Sequence, residues 1–167
     1  MSSGPLFQLQ LVLGYVAWLL CFRAYIWPRL ESQDPVRAHR VIATLHSFRF
    51  FGLVFILPGV VGPHLPASFA GAAAYGDLTT GLLALLALLS IRRRPLFWLF
   101  VVAFNVVGTA DLLLAYVHAV RIGLPEMAGQ LGVAYVIPIL YVPFLMITHV
   151  AAFTLLLRRT ARASAGE

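Results

Sequence analysis

Arg49, Asp77 and Asp111 each fall in the interior of an apolar run long enough to cross a bilayer. A charge at that depth costs about 3 kcal/mol or more unless it is paired or hydrated, and residues of this kind are functional candidates by default. His46, Asn105, Tyr141 and His149 add polar groups to the same apolar runs. A guanidinium holds a carboxylate or phosphate through its planar fork of donors, histidines supply acid–base or coordinating nitrogens, and aspartates orient or balance both. The expected ligand-binding set is therefore His46, Arg49, Asp77, Asn105, Asp111, Tyr141 and His149.

The elements that must position them are membrane helices. The 167-residue chain is 61% hydrophobic and only 11% charged, with a mean hydropathy of +0.91, far from the composition of soluble domains. Five stretches, near 6–27, 41–61, 67–91, 95–120 and 131–157, are long enough to cross a bilayer core, which takes roughly 20 helical residues. Their connections are short, which predicts an all-α polytopic bundle of five transmembrane helices in one domain over 1–167.

All twelve basic residues are arginine, and their placement explains the charge without nucleic acid. Arg29, Arg37 and Arg40 follow the first stretch, Arg92 to Arg94 the third, and Arg158, Arg159 and Arg162 the fifth, while the opposite loops hold only Arg121, opposed by Glu126. The positive-inside rule then places the N-terminus outside and the C-terminus in the cytoplasm, with Trp27 and Trp98 at the cytoplasmic interface. The first stretch is expected to stay as a helix, because Met1 to Gln10 carries no basic residue and no small-residue cleavage site follows. Cys21 is the sole cysteine and reads as a packing residue.

Local signals refine the helices. Asp34 precedes Pro35, the pattern of a cap followed by a proline at the first helical position. Pro58-Gly59 and Gly62-Pro63 break the chain after the second stretch. Small residues from Ala70 to Gly81 suit close helix approach. Pro138 and Pro143 each free a carbonyl four residues back, which predicts a kink or cavity near Tyr141.

Counting about 1.5 Å per residue from the cytoplasmic arginines puts His46 roughly 9 Å deep, Arg49 and His149 roughly 13 Å, Asn105 about 16 Å, Asp77 about 22 Å and Asp111 about 25 Å. Two levels result, with both aspartates in the upper one. An arginine side chain spans roughly 7 Å, so Arg49 reaches toward either carboxylate but does not neutralise both. One aspartate must then be protonated, pair with a histidine, or bind a cation.

The chain contains no P-loop, dinucleotide fingerprint, HExxH or GxSxG. The order His46-x-x-Arg49-x-x-Gly52, Gly76-Asp77, Asn105-x-x-Gly108-x-x-Asp111-Leu112, Val142-Pro143 and His149 resembles a group of small bacterial integral membrane proteins of no known activity. The resemblance covers the second to fifth stretches. It implies that these residues form a shared site in a bacterial inner (cytoplasmic) membrane protein. The tryptophan-rich sensory protein family has a similar length and helix count, but its Trp-x-Pro-Pro signature is absent.

The favoured reading is a site open toward the cytoplasmic half that binds a small or lipid-like anionic ligand on Arg49. The alternatives differ in class. His46 and His149 lie at similar depth, which permits axial ligation of a haem with Arg49 near a propionate, or one histidine joins Asp77 and Asp111 around a divalent metal. An intramembrane lipid-modifying enzyme would use histidine and aspartate for proton transfer. A proton-coupled carrier would require a homodimer, since one copy is small for alternating access and has no repeat. A purely structural or partner-binding bundle completes the set.

Overall fold

The computed structural model describes residues 3–164, which are helical apart from turns, with no strand among them. The elements are α1 (Ser3–Cys21), continued through a π-helical turn (Phe22–Ile26) into α2 (Trp27–Glu31), then α3 (Pro35–Ser47), a 3-10 segment (Phe48–Ile56), α4 (Ala67–Leu89) and α5 (Arg94–Arg121). A second 3-10 segment (Ala128–Tyr135) and a π-helical turn (Ile137–Tyr141) lead into α6 (Val142–Ser164). Four helices are long and apolar enough to cross a membrane: Ser3–Glu31, Ala67–Leu89, Arg94–Arg121 and Ile137–Ala161.

The expected second span, 41–61, differs from the uniform helix that its apolar residues suggest. It begins as anticipated, with Asp34 Oδ1 accepting from the backbone N–H groups of Val36 (3.0 Å) and Arg37 (3.3 Å) and Pro35 opening α3. After Ser47 the α-helix gives way to nine residues of 3-10 helix. Side chains three apart eclipse in that geometry, so Arg49, Gly52 and Phe55 stack in one buried row while Phe48, Phe50 and Phe51 face outward. The chain turns at Gly59, where φ is +81°.

α4 is the hub. It packs along α5 on one side and along α3 and the first 3-10 segment on the other, while α6 closes the bundle against α1, α3 and α5. Gly81 admits the 3-10 backbone, because a Cβ there would stand 3.3 Å from the Phe50 nitrogen. Two apolar clusters fill the bundle ends. One contains Ile42, Ala84, Phe97, Phe104 and Ala152, and the other Phe7, Phe55, Phe69, Leu124 and Leu131. The buried polar residues lie between them.

The proline-rich start of the last long helix behaves as its residues foretell. Pro143 lacks an N–H, and the π turn before it leaves carbonyls outside the helix ladder. α1 uses them: Trp18 Nε1 donates to the Leu140 carbonyl at 2.9 Å, and Gly14 lies directly against the Ile139 carbonyl. The arginine-bearing end is also assembled as expected. Arg159 sits 3.9 Å over the Trp98 ring, Arg158 sits 5.3 Å over Trp27, and Arg158 pairs with Glu31.

Candidate functional site

The eclipsed row of the 3-10 segment delivers Arg49 to the centre of the bundle, where its side chain is 0% exposed. Its Nε donates to Asp77 Oδ1 on α4 at 2.6 Å, and its Nη2 donates to Asp111 Oδ2 on α5 at 2.5 Å. Nη1 donates to the Gly108 carbonyl at 3.3 Å and to His149 Nε2 on α6 at 3.4 Å. The two levels inferred from helical rise therefore merge into one cluster. Arg49 is the second residue of the 3-10 segment, so the steeper rise adds only about 1 Å, and the reach of the guanidinium to both carboxylates joins the two levels.

The hydrogen-bond pattern fixes the histidine states. Asn105 Nδ2 donates to the Val101 carbonyl at 2.7 Å, which turns its amide oxygen toward His149. His149 Nδ1, 2.9 Å from that oxygen, is the donor, and Nε2 is the bare nitrogen that accepts from Arg49. Thr148 gives its hydroxyl proton to the Phe144 or Leu145 carbonyl, so His46 Nε2 donates to Thr148 Oγ1 at 3.1 Å. His46 Nδ1 is buried and has no hydrogen-bond partner. The two imidazoles lie together, 4.1 Å between centroids.

Six of the seven expected residues thus form one connected layer: His46, Arg49, Asp77, Asn105, Asp111 and His149. Tyr141 lies within electrostatic reach of Asp77 and Arg49, but its buried hydroxyl bonds to neither. Tyr135, at the end of the second 3-10 segment, donates instead to Gln10 Oε1 of α1.

Three glycines explain how such bulky polar groups fit between helices. Each one lies where a Cβ would collide with the cluster: Gly52 with the Asp77 carboxylate, Gly76 with the Asp111 carboxylate, and Gly108 with Thr80, Arg49 Nη1 and His149 Nε2. Close helix approach alone, the sequence reading of Gly76, misses this second role. The spacing His46-x-x-Arg49-x-x-Gly52 and Asn105-x-x-Gly108-x-x-Asp111 carries both the polar groups and the notches that receive them.

A cavity of about 200 Å³ adjoins the carboxylates. Asp77 and Asp111 form its inner wall, Phe7 and Leu11 of α1 its outer wall, and Phe69 and Tyr116 its sides. A recess of about 170 Å³ beside His118 reaches Asp111 from between α4 and α5. Both lie in the half of the bundle away from Arg92 to Arg94. In the arginine-bearing half, where the opening was expected, Phe97, Val101 and Phe104 are fully buried.

Three chemical expectations meet the geometry. Every nitrogen of the Arg49 guanidinium already donates to a protein acceptor, so Arg49 offers no free fork to an anion. Axial haem ligation by His46 and His149 does not fit either. His149 has its bare nitrogen on Arg49, His46 has Nε2 on Thr148, and the ring centroids, 4.1 Å apart, leave no slot for a macrocycle between them. For a divalent ion the cluster is too poor in ligands, since a hard cation takes about six oxygens and the walls beyond the two aspartates are mostly apolar. Among the described residues no three His, Cys, Asp or Glu side chains converge as a metal site.

No curated protein and no solved structure matches the chain. Residues 6–157, which take in every member of the cluster, match the family described as a domain of unknown function (DUF8737), and the chain belongs to that family.

Proposed function

We propose that this protein is an integral membrane protein that binds a small apolar or amphiphilic molecule in the cavity above Asp77 and Asp111. The observation that carries the reading is the cavity itself, an apolar chamber of about 200 Å³ that ends on two buried carboxylates. An apolar cavity of roughly 150 Å³ is already sufficient to take up benzene. A structural ion cluster alone has no use for such a chamber beside it. Access from the bilayer lies along the seam between α1 and α5, where Tyr15 and Tyr116 share a hydrogen bond of 2.7 Å. A neutral probe of the right size, 2-phenylethanol, is expected to give saturation-transfer NMR signals with protein in nanodiscs. Ala115→Phe, which fills the cavity from its wall, is expected to remove them. Equal signals from both proteins would refute the cavity as the binding site.

The same proposal includes five crossings with the N-terminus outside and the C-terminus in the cytoplasm. The crossing beyond the four long helices is α3 with its 3-10 continuation. Thirteen α-helical and nine 3-10 residues rise about 37 Å in sum, against a hydrocarbon core of about 30 Å. In a Cys21→Ser background, His64→Cys is expected to react with an impermeant maleimide in intact cells and Ser32→Cys only after lysis. The opposite pattern would invert the topology.

A further inference from the structure

We propose that the cavity selects a molecule carrying a protonated amine, a small arylalkyl or alkyl ammonium whose charge rests beside Asp111 and Asp77. The inference rests on the cavity reading above and adds the sign and class of the ligand.

The charge count comes first. Two carboxylates face one guanidinium, and His149 adds no positive charge, since its bare nitrogen accepts from Arg49. With both aspartates ionised the cluster is left with one net negative charge beside an apolar cavity. Arg49 takes up one oxygen of each carboxylate, Asp77 Oδ1 and Asp111 Oδ2. The other two, Asp77 Oδ2 and Asp111 Oδ1, lie in the notches of Gly52 and Gly76, where they meet no hydrogen-bond donor among the described residues. Ionised oxygens without donors in a medium of low dielectric are costly, and a cation brought beside them removes that cost.

The position of the charge comes second. Both aspartates line the cavity, with Asp111 the more open of the two at 15% side-chain exposure against 10%. Arg49, at 0%, is screened behind them. A molecule entering the cavity meets the negative groups and not the positive one, which favours an ammonium and repels a carboxylate or phosphate.

The walls come third. Phe7, Phe55, Phe69 and Tyr116 present ring carbon around the cavity, suited to an apolar body and to cation–π contact with an ammonium. One carboxylate and several rings suffice for an ammonium, whereas a bare metal ion would lack ligands. The volume admits a phenyl ring with a short chain.

The test uses three molecules of one shape and different charge: phenethylamine, 2-phenylethanol and phenylacetate. Calorimetric titration into protein in zwitterionic nanodiscs, with empty discs as reference, gives each affinity. Phenethylamine is expected to bind about tenfold tighter than the alcohol, the margin of a charge-assisted contact over a neutral one, and phenylacetate is expected not to bind. Asp111→Asn, which leaves the Arg49–Asp77 pair charge-balanced, is expected to bring the ratio of amine to alcohol affinity to about one, and a ratio still about ten in that variant overturns the selection by charge. Equal affinity of amine and alcohol for the unmodified protein overturns the selection by charge while the cavity reading stands. Tightest binding by phenylacetate overturns it in sign. Failure of all three to bind removes the cavity reading and this inference with it.

Discussion

Arg49→Met is expected to leave little folded protein. The substitution keeps most of the side chain's bulk but strips the donors from two carboxylates that share this one guanidinium at 2.6 and 2.5 Å. Breaking a buried ion pair by removing one partner costs about 3–5 kcal/mol, because the remaining charge stays buried without compensation. Here two charges are stranded at once, against a total stability that for a typical domain is about 5–15 kcal/mol. Tryptophan fluorescence during denaturant unfolding in mild detergent measures the loss. The sequence alone suggests a different outcome, a folded protein that no longer retains ligand, because it does not reveal that Arg49 holds three helices together. The triple variant Arg49→Met, Asp77→Asn, Asp111→Asn is expected to recover much of the stability, since neutral amides carry no stranded charge. A single variant as stable as the parent protein would show that the cluster does not hold the helices.

Gly108→Ala is expected to destabilise the bundle, against the ordinary helix preference. Within a helix the exchange of glycine for alanine ordinarily stabilises by about 1 kcal/mol. At this position the new Cβ would stand 2.6 Å from Thr80 Cγ2 and 2.7 Å from both Arg49 Nη1 and His149 Nε2. Overpacking of this kind costs about 1–3 kcal/mol, and the displaced groups are the ones that pair the charges. Gly76→Ala is expected to act in the same direction, since its Cβ would overlap the Asp111 carboxylate. Gly71→Ala is the internal control: it lies on the same helix as Gly76, and nothing is within 4 Å of its Cβ. Unfolding midpoints should therefore separate the three, with Gly71→Ala at or above the parent and both Gly76→Ala and Gly108→Ala below it. If all three shift together, helix propensity and not the cluster governs these glycines.

Much of the architecture was legible before any coordinates. Hydropathy and helix length locate the four long helices, and Asp34-Pro35 marks the start of α3 because capping depends only on the next few residues. Pro138 and Pro143 mark the irregular turn for the same reason, as each removes a specific N–H. The polar layer was also legible as a set, since Arg49, Asp77, Asn105, Asp111 and His149 stand out against apolar neighbours wherever the helices pack. His39, by contrast, drew no notice. It is fully buried, with its ring nitrogens 2.7 Å from the Pro35 carbonyl and 3.3 Å from the Ala152 carbonyl, and those contacts tie α3 to α6.

The sequence by itself determined the long apolar helices and the capped start of α3, properties of one segment and its own period. The tertiary structure decided the partners. Depth along one helix does not state how far that helix is rotated toward another. Nor did hydropathy distinguish an α-helix from the 3-10 segment that turns and lifts Arg49 between Asp77 and Asp111. The glycine notches and the cavity have the same origin, since a missing Cβ acquires meaning only from the side chain of a different helix that fills its place.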